Sequence, residues 1–288
     1  MLVSEAAGAY LEDRRARLRP HTVEGYESAI RRHVLPALGA LDVAEVTFEA
    51  VQAWVDSIPT PGAALKAFKT FRQLYRWTLK RRQMRVWDVT QGIELPSPAP
   101  VERAVLTAPE ERETAAGVEG EPFEAAVVLG AALGLRRCEA CAVRVEDVDW
   151  RTGWVHVRRG VHWVGGGEVE CPPKTRLSDR WVRLPSWALA RLRAVRGRRR
   201  SGRLCAMPPH RAAAAFKRHC AARGLPWVPL SALRHSWATI AVAAGAAIED
   251  VAVALGHSSV DMCVRRYVTD LRPVAARAAA RYEAATRV

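Results

Sequence analysis

The sequence predicts a mainly α-helical protein with a small antiparallel β-sheet, divided between an all-helical N-terminal domain and a mixed α+β C-terminal domain. Three observations predict it. The 288 residues exceed one ordinary core and fit two domains of roughly 100 to 200 residues each. A composition of 49% hydrophobic and 26% charged residues supports a buried core and excludes wholesale disorder. Helical spacing fills both halves but gives way to alternation between Asp149 and Leu184.

Pro96, Pro98 and Pro100 remove backbone donors and hold the chain extended, so residues 96–103 are read as a linker between domains at 1–95 and 104–288. Before the linker, helices are expected over Val3–Leu18, Thr22–His33 with Thr22 as N-cap, Thr47–Ser57 and Ala63 to about Arg82. On the last, Leu65, Phe68, Phe71, Tyr75 and Leu79 share one face, and Lys66, Lys69, Arg76 and Lys80 line an adjacent cationic strip, which reads either as a solvated face or, given the basic excess of the chain, as a set of phosphate contacts to a nucleic acid. After the linker, Thr107 followed by Glu110 has capping-box spacing, and further helices are expected near Pro122–Leu133 and Arg137–Val143. Asp149–Arg158, with a turn at Thr152–Gly153, and Arg180–Leu184 suggest a sheet of about three strands. From Ser186 the chain reads as helical, interrupted at Gly197–Gly202, Gly224–Pro229, Gly245 and Leu255–Ser259; the run Arg196–Arg203 is a basic loop.

Charge narrows the partners. There are 44 Lys and Arg against 30 Asp and Glu, a net +14, with 14 basic and 11 acidic residues in 1–100 against 30 and 19 in 101–288. Such a field favours a polyanion. No apolar run approaches the roughly 18 to 20 residues of a membrane span, and no signal-like start is present, so a cytoplasmic protein without membrane contact is expected. A membrane-surface role fails because the cationic helix lies inside a packed domain pattern rather than at a free amphipathic terminus. The six cysteines read as reduced thiols, and Cys138-x-x-Cys141 as packing rather than a metal site, because no second closely spaced pair exists. No metal and no cofactor is expected.

Four separated patches ask for one explanation: Gly134-Leu135-Arg136-Arg137-Cys138-Glu139, Pro173-Lys174-Thr175, Leu233-Arg234-His235, and Leu255-Gly256-His257 with Tyr267 ten residues on. Together they resemble the tyrosine recombinase (phage integrase) family. Asp147-x-Asp149 resembles an acidic pair often found after that family's first arginine box, and Thr22 to Gly39 is similar to its helical, SAM-like core-binding domain. The resemblance covers nearly the whole chain and implies a site-specific recombinase that cleaves and rejoins double-stranded DNA through a 3′-phosphotyrosine. It implies Arg136 and Arg234 as the phosphate clamp, Lys174 as general acid, His257 as a phosphate ligand, Tyr267 as nucleophile and Glu139 as the group orienting an arginine. It further implies two domains closing on duplex DNA, a homotetramer on two sites with the helix Pro273–Arg287 docking onto a neighbour, and room for a directionality partner.

Two departures bear on this. The family's usual histidine three residues before the second arginine is Ser231 here, and a hydroxyl cannot take a proton from a phenol near neutral pH. His235 projects roughly 100° from Arg234 and does not replace it. Arg234 itself projects roughly 70° from the centre of the face formed by Leu230, Leu233, Trp237, Ile240, Ala241 and Ala244, which predicts a head group at the core's edge. The second departure is the start, almost at the core-binding helices, which leaves two expectations open: a simple two-domain recombinase without regulation through arm-type sites, or a sequence that begins after an arm-binding domain. Rival readings are a catalytically weakened or inactive DNA-binding relative, motivated by Ser231, and strand relaxation in the manner of a type IB topoisomerase.

Overall fold

The structure is a computed structural model that describes residues 1–99, 104–173 and 176–256. The chain separates into two compact units, Met1–Glu102 and Arg103–Val288. Lys174, His257, Tyr267 and the expected helix Pro273–Arg287 lie outside the described residues. Among the described residues no helix is long and apolar enough to cross a membrane.

The first unit is built from helices α1 (Val3–Arg17), α2 (Pro20–Ala29), α3 (Leu35–Leu38), α4 (Phe48–Asp56) and α5 (Pro61–Arg82), with a wider π turn at Ile30–Val34 joining α2 to α3. Thr22 is not the N-cap of α2. The helix starts at Pro20, whose fixed φ and missing N–H suit a first turn, and Arg19 takes the cap position. The helical path also runs past His33 to Leu38. Pro36 has no N–H to continue the ordinary ladder, and the π turn before it, closed by Leu35 N–H to Ile30 O, carries the chain through. At α4, the Thr47 hydroxyl accepts the Ala50 N–H at 3.2 Å, as its cap position requires.

The buried face of α5 centres on Ala64, Ala67, Phe71, Leu74 and Thr78, with Phe68 and Tyr75 beside it, while Leu65 and Leu79 sit half-buried at its border. Thr70 and Thr78 enter this face because their hydroxyls bond Lys66 O and Leu74 O, both at 2.9 Å, leaving no buried donor open. Phe71 packs edge-on against Trp54, and the face closes the unit's core over Tyr10, Ile30 and Val51.

Among its described residues the second unit contains α6 (Ala108–Gly117), α7 (Glu124–Leu133), α8 (Arg137–Ala140), four strands, α9 (Ser186–Arg196), α10 (Pro209–Arg223), α11 (Leu233–Ala243) and α12 (Ile248–Leu255). The Thr107 N–H and hydroxyl both donate to Glu110 at 2.7 Å, so the capping spacing does open α6. Every residue of α7 is buried, making it the central pillar of the core. In place of a single sheet of about three strands there are two separate antiparallel ladders. β1 (Trp154–Val157) pairs with β4 (Arg180–Arg183), and β2 (Gly160–Val164) pairs with β3 (Gly167–Cys171). The physical reason is local closure: Gly165 and Gly166 both adopt positive φ, forming a tight two-residue hairpin that satisfies β2 and β3 with each other. The crossing from β1 to β2 is pinned by Arg158 and Arg159, which bond the two oxygens of buried Asp147 at 2.9 and 2.8 Å.

Candidate active site

The C-terminal end of α7 creates the first part of the site. Gly134 takes φ +60° as the helix cap, and a Cβ there would stand 2.7 Å from Leu255 and 2.9 Å from Trp237, so only glycine fits both the turn and the packing. Leu135 is buried beneath the turn, which leaves Arg136 extended at the start of α8. Glu139, one turn later, reaches back: its Oε2 accepts the Arg136 backbone N–H at 3.0 Å and its Oε1 accepts Arg136 Nη1 at 2.7 Å. Arg136 remains 40% exposed while Glu139 is buried.

Arg234 comes from the first turn of α11. It is 6% exposed, donating from Nη1 to Gly134 O at 3.0 Å and from Nη2 to Leu255 O at 2.7 Å. The edge position expected from the helical projection is therefore corrected. The buried side of α11 runs through Leu233, Arg234, Ser236, Ala238 and Val242, and Ala244 is exposed. Both acceptors are terminal carbonyls, of α7 and α12, where orphan C=O groups and the negative end of the helix dipole suit a cation. A small apolar cluster of Ala238, Val242, Val251, Ala252 and Leu255 fixes α11 to α12 and sets that geometry.

A third guanidinium joins them. Arg180, opening β4, is buried and donates from Nη2 to Glu139 Oε2 at 3.0 Å, from Nε to Ala254 O at 2.6 Å and from Nη1 to Ser178 O at 3.1 Å. Burial alone would raise the Glu139 pKa, but Arg180 and then Arg136 outweigh it and hold the carboxyl below its ordinary range. Positions 136, 180 and 234 thus converge, joined through Glu139, through the adjacent carbonyls of Ala254 and Leu255, and through Gly134. Arg136 and Arg180 share the single carboxylate of Glu139, so this pair carries excess positive charge, with Arg136 its exposed face. Such a place attracts an oxyanion with planar, multidentate N–H donors.

The remaining expectations place as follows. Ser231 is exposed, in the turn that leads into α11. Lys66, Lys69 and Lys80 are exposed along α5, but Arg76 Nε is bonded to Asp88 at 2.6 Å, so its charge is largely met within the unit. Cys141 is buried, and no group of three or more His, Cys, Asp or Glu among the described residues could hold a metal ion. The basic loop is partly self-organised: Arg196 lies over Trp150, and Arg203 is paired with Glu168. Sequence reasoning assigned no role to Arg180. Its only signal was the position after Lys174 and Ser178, because its partners are backbone carbonyls and a glutamate far away in sequence.

Two family models match this chain: the phage integrase family over residues 114–272 and the phage integrase N-terminal SAM-like domain over residues 3–58. The chain belongs to the phage integrase (tyrosine recombinase) family. It is 30% identical over 263 residues to an integrase of Mycobacterium phage FRAT1, covering 85% of this chain and 77% of that one. Its fold matches the Tn1549 transposon integrase, solved in complex with a circular intermediate DNA, with a TM-score of 0.82 at 16% identity over 98% of this chain and 99% of the other. It also matches a lambda integrase tetramer bound to a Holliday junction, with a TM-score of 0.67 at 17% identity over 90% and 78%. The three arginines and Glu139 accordingly lie within the integrase's family-matched catalytic region.

Proposed function

We propose that this integrase is a site-specific DNA recombinase that cuts and rejoins duplex DNA through a covalent 3′-phosphotyrosine, acting as a tetramer on two DNA sites. The observation that carries the reading is that Arg234 is anchored on Gly134 O, two residues before Arg136, and on Leu255 O, two residues before His257 in the sequence. In this mechanism the two guanidiniums bind the non-bridging oxygens of the scissile phosphate, where charge develops as phosphorus becomes five-coordinate. The Tyr267 phenol gives its proton to solvent water as its oxygen forms a bond to phosphorus, while the bond to the deoxyribose 5′ oxygen breaks. Lys174 gives a proton to that leaving oxygen, and His257 hydrogen-bonds the phosphate. The phosphodiester energy is retained in the phosphotyrosine, so attack by a 5′ hydroxyl of a second strand reverses the step without a cofactor. Glu139 holds Arg136, and exposed Lys66, Lys69 and Lys80 meet the DNA backbone. The lambda integrase tetramer supports four protomers as the working assembly.

Ser231 favours a second reading, DNA binding without chemistry, because it cannot serve as base for Tyr267. Covalent trapping separates the two. A nicked suicide duplex bearing the integrase's core site is expected to yield a protein–DNA adduct with the wild type and none with Tyr267→Phe. Tight binding without any adduct from the wild type would give the case to the binding module, and site-independent relaxation of supercoils would place the chemistry with type IB topoisomerases.

A further inference from the structure

Arg180 holds three segments of chain together at one guanidinium. Its own strand begins six residues after Lys174. Its Nη2 reaches Glu139 on α8, its Nε reaches Ala254 near the end of α12, and its Nη1 returns to Ser178 in the turn ahead of β4. The contact with the end of α12 is close on both sides. Gly256 has φ +66°, and a Cβ there would stand 2.8 Å from Leu177 O and 3.2 Å from Arg180 Cδ. No side chain larger than hydrogen separates the two segments.

The sharing of Glu139 has an electrostatic consequence. One carboxylate facing one guanidinium makes a neutral pair with little attraction left for phosphate. Here a single negative charge is divided between Arg136 and Arg180, so the exposed Arg136 keeps much of its positive field while its orientation stays fixed by two bonds to Glu139. A buried guanidinium is expensive unless its donors are met, and the partners Arg180 uses are Glu139, which also holds Arg136, and the carbonyls of Ser178 and Ala254, which stand four residues after Lys174 and three before His257 in the sequence.

Resting on the recombinase reading above, we propose that Arg180 is a positioning residue for strand cleavage: through Glu139 it fixes and keeps cationic the Arg136 guanidinium, and by tying the entrance of β4 to the end of α12 it sets the spacing between the segments that carry Lys174 and His257. It does not touch DNA itself.

The test is single-turnover covalent cleavage of a nicked suicide duplex by the full chain, with duplex affinity and the urea midpoint measured on the same preparations. Arg180→Lys keeps the charge but lacks the planar fork needed for three acceptors. It is expected to slow adduct formation about 100-fold, the scale of a displacement of roughly 1 Å in a catalytic group, while duplex affinity stays within about twofold. Arg180→Met is expected to behave alike, and if one variant does not fold the other carries the comparison. Because the Arg136 effect runs through Glu139, the double variant Arg180→Lys/Glu139→Gln should be slower than the slower single variant by less than about threefold, far from the product of the two losses. Undiminished cleavage by a folded Arg180 variant, full additivity in the double variant, or a loss matched by an equal loss of duplex affinity each overturns the proposal. If the wild type forms an adduct and these outcomes occur, the positioning role alone is wrong; if the wild type forms none, the recombinase reading fails first.

Discussion

At the scale of single residues, the cluster around Glu139 contrasts with another buried carboxyl, to which no described cation is paired. Glu111 on α6 is 8% exposed, its Oε2 has no hydrogen-bond partner among the described residues, and burial pushes its pKa up to about 8. The unfolded chain titrates this group near its ordinary value of 4.5. Between those two values the folded state keeps the proton while the unfolded state releases it, so stability falls as pH rises from about 4.5 and the full penalty is present above about 8. Glu111→Gln removes the titration. It is expected to raise the unfolding free energy at pH 8 by on the order of 1 kcal/mol or more and to flatten the pH dependence between 5 and 8 (roughly the interval where only the unfolded carboxyl is ionised). Urea denaturation across that range checks both, and a variant whose pH profile matches the wild type contradicts a buried neutral Glu111. Glu139 behaves oppositely because two cations face it: its contribution is present above the ordinary carboxylate pKa and is lost only as acid takes pH down through its depressed folded value.

At the scale of elements, helix ends do much of the work. The terminal carbonyls of α7 and α12 collect Arg234, and the last carbonyls of α12 also collect Arg180, so caps that ordinarily face water are used here to hold cations in place. Gly134 is where the α7 cap, the packing of Trp237 and Leu255, and the Arg234 bond coincide. Gly134→Ala combines left-handed strain of about 1 to 2 kcal/mol with a steric clash. It is expected to cost clearly more than Gly120→Ala, where φ is also positive (+79°) but nothing lies within 4 Å of the added carbon. Equal midpoints for the two variants in chemical denaturation would show that the crowding at Gly134 relaxes freely. The strands illustrate what escaped notice in the sequence. β2 and β3 flank Gly165 and Gly166, a third glycine, Gly167, opens β3, and β3 carries Glu168 and Glu170 exposed. A short ladder interrupted by glycine and outward charges has weak alternation, and its register came from the positive-φ turn rather than from a hydrophobic stripe.

At the scale of the whole molecule, the net charge of +14 makes salt dependence a direct probe of which cations meet DNA. Replacing a lysine that contacts phosphate weakens binding about uniformly across sequences and lowers the slope of log K against log salt by about 1. Lys69→Ala is expected to do this. Arg76→Ala is expected to change the slope less, because Asp88 already holds that guanidinium at 2.6 Å, and to lower the stability of the first unit instead. Binding isotherms between roughly 50 and 200 mM salt separate the two, and identical slope changes for both variants would place Arg76 on the DNA despite its ion pair.

The sequence by itself determined most of the helical segments, the capping box at Thr107, the basic excess and the order of the motif boxes. These are local: each depends on residues within a turn or two of one another, or on sums over the chain. Only tertiary structure decided that Arg234 is buried rather than marginal, that Arg76 is already spoken for, and that Arg180 belongs with Arg136. Each of those outcomes depends on an acceptor brought in by folding: Asp88 for Arg76, Glu139 between Arg136 and Arg180, and helix-end carbonyls for Arg234; a carboxylate's partner is not written in its spacing, and a carbonyl is present at every position, so no residue type marks it.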